Sequence, residues 1–301
     1  MSPTIINASL SERLLTAIRN RFHPLWRIRR CRWLHRIISS FDFPVWVKSE
    51  SLEIVFRAMW FRDMPWLLKS LPKELEVNQL LEQLCCVYQP KVFWDLGANV
   101  GWFCWLVNAR SGLTRAVLVE PLPLNAKLLR STIWKNRLDH VRLVNAAVAN
   151  RCGELAFIVD DKSGATSQLK EIYVTSGPEA IAQTYGLSHE IRVLVTTVDA
   201  LIAAGEPLPD LVKIDVEEAE ALVFQGAAAL LRQGRTIFVF ECHRVEAIDL
   251  LISYDYHVFC VDALNNFLAI PGRLTDSART ITQPLKRIVR DWSAATPHQE
   301  Q

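Results

Sequence analysis

The chain has 301 residues, half of them hydrophobic, with a formal net charge of +2, enough to bury one large core with a smaller appendage. Its seven cysteines are odd in number and irregularly spaced, with no C-x-x-C pair; this argues against a disulfide-stapled fold and a zinc site, and for a reducing compartment. No apolar run approaches 18 residues, and MSPTIINASLSERLL lacks a basic region followed by an apolar one, so neither a membrane span nor a secretory signal is expected and the location is read as cytoplasmic.

The charge is unevenly spread. Residues 1–40 hold eight arginines and a single acid, Glu12, a local charge of +7 against +2 for the whole, so the other 261 residues carry −5. Five of the ten tryptophans (Trp26, Trp33, Trp46, Trp60 and Trp66) also fall early. A basic, Trp-rich helical extension is expected over 1–75, a main domain over 76–275 and a tail over 276–301. The block RNRFHPLWRIRRCRWLHR, residues 19–36, has two readings: a solvated basic face with its tryptophans packed inward, or a peripheral contact with an anionic membrane surface. Nucleic acid finds no support in the rest of the chain.

From Lys91 onward, strand-like and helix-like runs alternate, as in a doubly wound, mostly parallel sheet with helices on both faces. Strands are expected at 91–95, 115–120, 141–148, 191–197, 210–215, 236–241, 256–261 and 266–270, and helices at 99–110, 123–136, 217–233 and 245–253. Residues 160–190, rich in Ser, Gly, Thr and charge, read as a loop or lid.

The first of these units carries the turn VFWDLGANVGWF. A buried strand ends at Asp95, and Gly97 and Gly101 then let the backbone turn into a helix whose free N–H groups face a ligand. The spacing D-x-G-x-x-x-G lacks the close glycine pair that admits a pyrophosphate, and no Lys-Ser or Lys-Thr follows. Asp95 would repel a phosphate and favour a cationic ligand such as S-adenosylmethionine. A plain strand-turn-helix without ligand is the alternative.

Glu120 ends the next strand, 19 residues after Gly101, where a carboxylate lies within reach of a ribose. Asn145, Ala146 and Ala147 close the third strand; their small side chains suit either a slot for a flat adenine or tight packing on a helix. The densest cluster is LPDLVKIDVEEAEALVFQGA, residues 208–227. Lys213, Asp215 and Glu217 alternate there, and Glu220 follows. Charged groups at a buried strand end need partners or a cavity. Glu241 ends another strand, with His243 two residues on. An ion-pair network is the competing reading.

With these segments in view, the chain resembles the FkbM-type methyltransferases, a branch of the class I, Rossmann-like S-adenosylmethionine-dependent fold. FWDLGANVGWF, VLVEPLP, VNAAVAN, SGATSQL, TTVDAL, LVKIDVEEAEALVFQGA and FVFECH carry the likeness over about residues 92–243. The resemblance implies a seven-stranded sheet. It implies that Gly97, Ala98, Asn99 and Gly101 line the cofactor's methionine end, that Glu120 holds its ribose, and that Asp215 and Glu217 face the transfer site with Glu241 nearby. Where the family has KIDVEGAE, this chain has Glu218 in place of the glycine, a change expected to narrow the acceptor pocket or add a contact.

The expected activity is methyl transfer from S-adenosylmethionine to a hydroxyl on a sugar or other polyhydroxylated acceptor. Asp215, Glu217, Glu241 and His243 are the candidate bases. Asp95, Gly97, Ala98, Asn99, Gly101, Glu120 and Ala147 are the candidate cofactor residues. No metal is expected, because alternating acids in one segment are not by themselves a ligand set. Two other readings compete: a non-catalytic protein that keeps the fold and binds an anionic partner through its Arg/Trp-rich N-terminus, and a nicotinamide oxidoreductase, disfavoured by the glycine spacing.

Overall fold

Period-two and helical patterns in the sequence become strands and helices in the computed structural model, which describes residues 37, 40–49, 51–63, 75–160, 167–171 and 188–288. The chain divides into two units, Met1–Asp42 and Phe43–Gln301. The basic block 19–36 lies outside the described residues, as does most of the expected loop over 160–190.

The second unit opens with β1 (Pro44–Ser49) and β2 (Ile54–Met59), followed by α1 (Leu75–Tyr88), β3 (Val92–Leu96), α2 (Trp102–Arg110) and β4 (Arg115–Val119). Next come α3 (Pro123–Asn136), β5 (Val141–Val144), β6 (Ala147–Val148), β7 (Gly153–Asp160), β8 (Gln168–Leu169) and β9 (Ser188–Thr196). Then follow α4 (Val198–Ala203), β10 (Leu211–Ile214), α5 (Glu220–Gln225), α6 (Ala228–Gln233) and β11 (Ile237–Glu241). The last are α7 (Val245–Ser253), β12 (Tyr256–Cys260), β13 (Asn266–Pro271), α8 (Arg279–Thr282) and β14 (Lys286–Ile288).

The main sheet has the order β14-β12-β13-β11-β10-β3-β4-β5. Neighbours from β5 to β11 run parallel, whereas β13 is antiparallel to both β11 and β12. The chain winds outward from β3 through β4 to β5, then returns to β10 and β11 on the other side of β3. The switch point thus falls between β3 and β10, where open α/β sheets bind ligands beyond their strand ends. Alternation along each strand fills two cores. Phe93, Leu118, Leu211 and Val239 pack with residues of α1, α2 and α3. Trp94, Val119, Ile214 and Phe240 pack with residues of α4 to α7. The expected doubly wound, mostly parallel sheet with helices on both faces is thus present.

Four expectations are corrected. The sheet has eight strands among the described residues, because β14, expected within a tail, pairs antiparallel with β12. The described part of the expected helical extension includes an antiparallel hairpin, β1-β2, since Ile54, Phe56 and Ala58 bury one face with period two. Its outer edge is satisfied by α3. Asn136 Oδ1 accepts from the Val55 N–H at 3.1 Å, Asn136 Nδ2 donates to the Val55 carbonyl at 2.7 Å, and Thr132 Oγ1 accepts from the Arg57 N–H at 2.9 Å.

The run 141–148 is two strands rather than one, because Asn145 Nδ2 donates to the carbonyls of Glu120 and Pro121 at 2.7 and 3.1 Å and turns the chain away. Its second half joins β9, so the expected strand 191–197 belongs to a separate sheet of order β6-β9-β7-β8. The expected helix 217–233 is broken into α5 and α6 at Gly226, which packs so closely on Ala149 that a Cβ would overlap its carbonyl oxygen.

Candidate active site

The parallel register Leu96↔Ile214 brings the residues that follow β3 and β10 side by side. Gly97 has φ +85 and lies so close to the Asp215 carbonyl that an added Cβ would overlap it, so the two strand ends can meet only with glycine here. Its N–H and that of Ala98 donate to the Val119 carbonyl at 2.9 and 3.1 Å, tying the turn to β4. Asn99 is also left-handed, at φ 49. Gly101, at φ +82, faces inward: a Cβ there would lie 2.5 Å from the Trp105 ring. That ring is held beneath the turn by its Nε1–H, which donates to the Val100 carbonyl at 2.9 Å.

A cleft of about 530 Å³, its open mouth included, lies over this turn. Its lining includes Gly97, Asn99 and Glu120, the apolar Leu122, Ala147, Phe157 and Leu169, and the acids Asp215 and Glu217. Glu120 is 3% exposed. Its carboxylate accepts from the N–H groups of Asn99 and Leu122 at 2.8 and 2.9 Å, and from Asn125 Nδ2 at 3.2 Å. Burial raises its pKa while these hydrogen bonds pull it down. Three of roughly four lone-pair positions are thus taken, leaving one for a ligand hydroxyl. Among the described residues the lining includes no lysine or arginine, and it does include Asp215 and Glu217, which suits a nucleoside with a cationic tail better than a pyrophosphate.

A second cavity, about 780 Å³ with its mouth, is lined by Phe103, Lys213, Asp215, Glu241, His243 and Asn265, among others. Asp215 lines both cavities. Lys213 is 1% exposed. Its Nζ donates to the Ile214 carbonyl at 3.0 Å, lies 3.7 Å from Asp215 Oδ2 and sits 4.9 Å from the centre of the Phe103 ring. The buried Lys213 cation thus faces several carboxylates. Burial first, and then the neighbouring Asp215 carboxylate, push Glu217 well above and Glu241 above the usual carboxylate range. Burial pushes Glu220 up to about 8. Among the described residues, no group of His, Cys, Asp and Glu is arranged to hold a metal ion.

The expected cofactor residues divide. Gly97, Asn99, Glu120 and Ala147 line the cleft, whereas Asp95, Ala98 and Gly101 do not. Asp95 lies beneath the turn, beside its register partner Lys213, and its Oδ2 accepts from the Cys104 N–H at 3.2 Å. The expected bases divide too: Glu217 lines the cleft, Glu241 and His243 line the second cavity, and Asp215 serves both. Glu218 lines neither; its Oε2 accepts from Arg244 at 3.2 Å. The residue has φ +67 and follows Glu217 at φ +50, so its backbone takes the left-handed form that a glycine there adopts freely. Sequence reasoning missed Phe157, Phe103 and Asn265. Phe157 sits in the second sheet, and Asn265 in a turn with no distinguishing pattern.

A family model described as the methyltransferase FkbM domain matches residues 95–258. Among solved structures, a methyltransferase FkbM from Methylobacillus flagellatus KT is similar at 14% identity and a TM-score of 0.42. The match covers 66% of this chain and 59% of that one, so this chain spans about three-fifths of that protein's length. An O-methyltransferase from Bacillus cereus, in complex with SAH, matches at 13% identity and a TM-score of 0.39, covering 74% and 90%. A precorrin-6y C5,15-methyltransferase from Geobacter metallireducens GS-15 matches at 15% and 0.39, covering 67% and 89%. No curated protein matches in sequence.

Proposed function

Because the chain belongs to the FkbM methyltransferase family, we propose that it moves a methyl group from S-adenosylmethionine to a hydroxyl of a sugar or other polyhydroxylated small molecule. One observation carries this reading: a cleft suited to a cationic nucleoside and a separate polar cavity share Asp215. A donor and an acceptor held in the two would meet at that side chain.

Glu120 takes one ribose hydroxyl on its remaining lone pair, and Leu122, Ala147, Phe157 and Leu169 flank the flat base. Asp215 presents negative charge to the ligand's cationic end, with the Glu217 carboxyl beside it. S-adenosylmethionine, when bound, supplies an electrophilic methyl group. In the second cavity Asn265 and Asn266 offer hydrogen bonds to a polyol, and the carboxylates of Asp215 and Glu241 are the candidates to accept the proton that leaves the acceptor hydroxyl. Alignment of the reactants is the largest contribution expected, and a positioned base adds about 10²- to 10⁴-fold.

The test is calorimetric titration with S-adenosylmethionine and, separately, with NADH, followed by incubation of the full chain with methyl-labelled donor and a panel of hydroxylated acceptors. Heat with the first ligand alone, and label in one acceptor class, are expected. Binding of NADH, or no label in any acceptor despite donor binding, would overturn the reading.

A further inference from the structure

Three side chains at the second cavity form a hydrogen-bonded chain. Asn265 Nδ2 lies 3.0 Å from His243 Nδ1, and His243 Nε2 lies 3.2 Å from Glu241 Oε1. Glu241 ends β11, and Asn265 immediately precedes β13, which pairs with β11 in the register Glu241↔Asn266. The turn carrying Asn265 is held from both sides. The Asn265 carbonyl accepts from the Cys242 N–H at 2.9 Å. The Asp262 carboxylate accepts from the N–H groups of Leu264 and Asn266 at 2.8 and 3.1 Å and from Asn266 Nδ2 at 2.8 Å. Asn265 itself is left-handed, at φ 64, a conformation asparagine tolerates better than most residues.

The two ends of this chain decide where the proton in its middle sits. An ionised carboxylate only accepts, so Glu241 calls for an N–H at Nε2. A neutral imidazole then presents a lone pair at Nδ1, which needs a donor, and the Asn265 amide is one. We propose that Asn265 is a positioning residue: by donating to Nδ1 it keeps the ring proton on Nε2, aimed at Glu241, and so makes Glu241 rather than His243 the group that takes the acceptor's proton. The proposal rests on the reading of this cavity as the acceptor site.

In that step the O–H bond of the acceptor breaks, the proton passes to a carboxylate oxygen of Glu241, and the bonding pair stays on the acceptor oxygen. His243 cannot take the proton while Nε2 carries hydrogen and Nδ1 is occupied; its N–H steadies the carboxylate instead. The titratable and charged groups facing Glu241 are Asp215 and Lys213 at the end of β10, with Glu217 and Glu220 beyond, and His243. Burial and the Asp215 carboxylate raise its proton affinity above the ordinary carboxylate range, as suits a general base.

The experiment is nitrogen NMR of the full chain labelled at histidine, without donor or acceptor, together with turnover of variants. Wild type should show His243 protonated at Nε2 with Nδ1 hydrogen-bonded. In Asn265→Asp the new carboxylate cannot donate, so the ring should become doubly protonated at the same pH. In Asn265→Ala the Nδ1 resonance should move to that of an unbonded acceptor. His243→Gln, whose amide can still donate to Glu241, should lower turnover by no more than about tenfold, the scale of one ordinary hydrogen bond. Glu241→Gln should lower it by about 100-fold or more. A wild-type proton on Nδ1, or the reverse ranking of the two turnover variants, would overturn the proposal. An Nε2 proton in a protein that transfers no methyl group would leave the positioning by Asn265 standing and sink both the functional reading and the role of Glu241 as base.

Discussion

Asp95 was expected to meet a ligand, and the structure buries it under the turn instead, 1% exposed. Its Oδ2 accepts one N–H, and its Oδ1 has no hydrogen-bond partner. Burial pushes its pKa from 3.8 to about 7, although Lys213 on the neighbouring strand opposes the shift. An acid whose folded pKa lies above its unfolded value binds its proton more tightly when folded. Its contribution to stability is therefore fully present below the unfolded value of 3.8 and is lost as pH rises towards about 7. Glu220, raised to about 8, acts in the same direction. The unfolding temperature is thus expected to fall between pH 5 and pH 8, and less steeply in Asp95→Asn, which cannot ionise. Parallel pH profiles for the two proteins would show that this carboxyl does not titrate between those limits.

The β3–α2 turn is built from left-handed backbone at Gly97, Asn99 and Gly101, and its two glycines face different neighbours. At Gly97 the neighbour is the Asp215 backbone, and at Gly101 it is the Trp105 ring. The second contact changes what a substitution there should do. Gly101→Ala strains a φ of +82 and drives a methyl group into that ring, so a stability loss of about 1–3 kcal/mol is expected. Cofactor affinity of the folded protein should change little by comparison, because Gly101 does not line the cleft. Denaturant unfolding and calorimetry on the same variant separate the two effects. Unchanged stability with abolished binding would mean that this glycine faces the ligand.

Across the whole domain, the switch point between β3 and β10 sets a division of labour. Glu120 belongs to the cleft alone, while Asp215 lines both cavities. Glu120→Ala should weaken S-adenosylmethionine binding by about 1.5–3 kcal/mol, the value of a hydrogen bond to a charged group. It should also cost stability, since the Asn99 and Leu122 N–H groups lose their acceptor. Asp215→Asn keeps the side chain's shape and one acceptor oxygen but removes the charge that both cavities share, so donor affinity should fall and turnover should drop by roughly 10²-fold, the scale of a lost alignment of donor and acceptor. Unchanged donor affinity in Asp215→Asn would remove that charge from donor binding; full turnover would remove it from the chemistry.

Strand 92–96, its glycine turn and the helix after it could be read directly, because period, turn chemistry and helix length are local properties. Glu120, Asp215 and Glu241 could be placed near strand C-terminal ends for the same reason, and an alternating βα order gathers such ends on one side of a sheet. The hairpin at 44–59, the separate sheet containing β9 and the joining of β14 to the sheet edge could not be read this way. Each depends on which distant strand or helix satisfies a backbone edge. The division between the cavities was hidden for a related reason. Polarity says that Asp95, Glu218 and His243 need partners, but Lys213, Arg244 and Asn265 become those partners only once separate segments pack together. Burial, which raises the proton affinity of Asp95 and Glu241, is likewise a property of the packed chain, since it depends on how much water the neighbouring elements exclude.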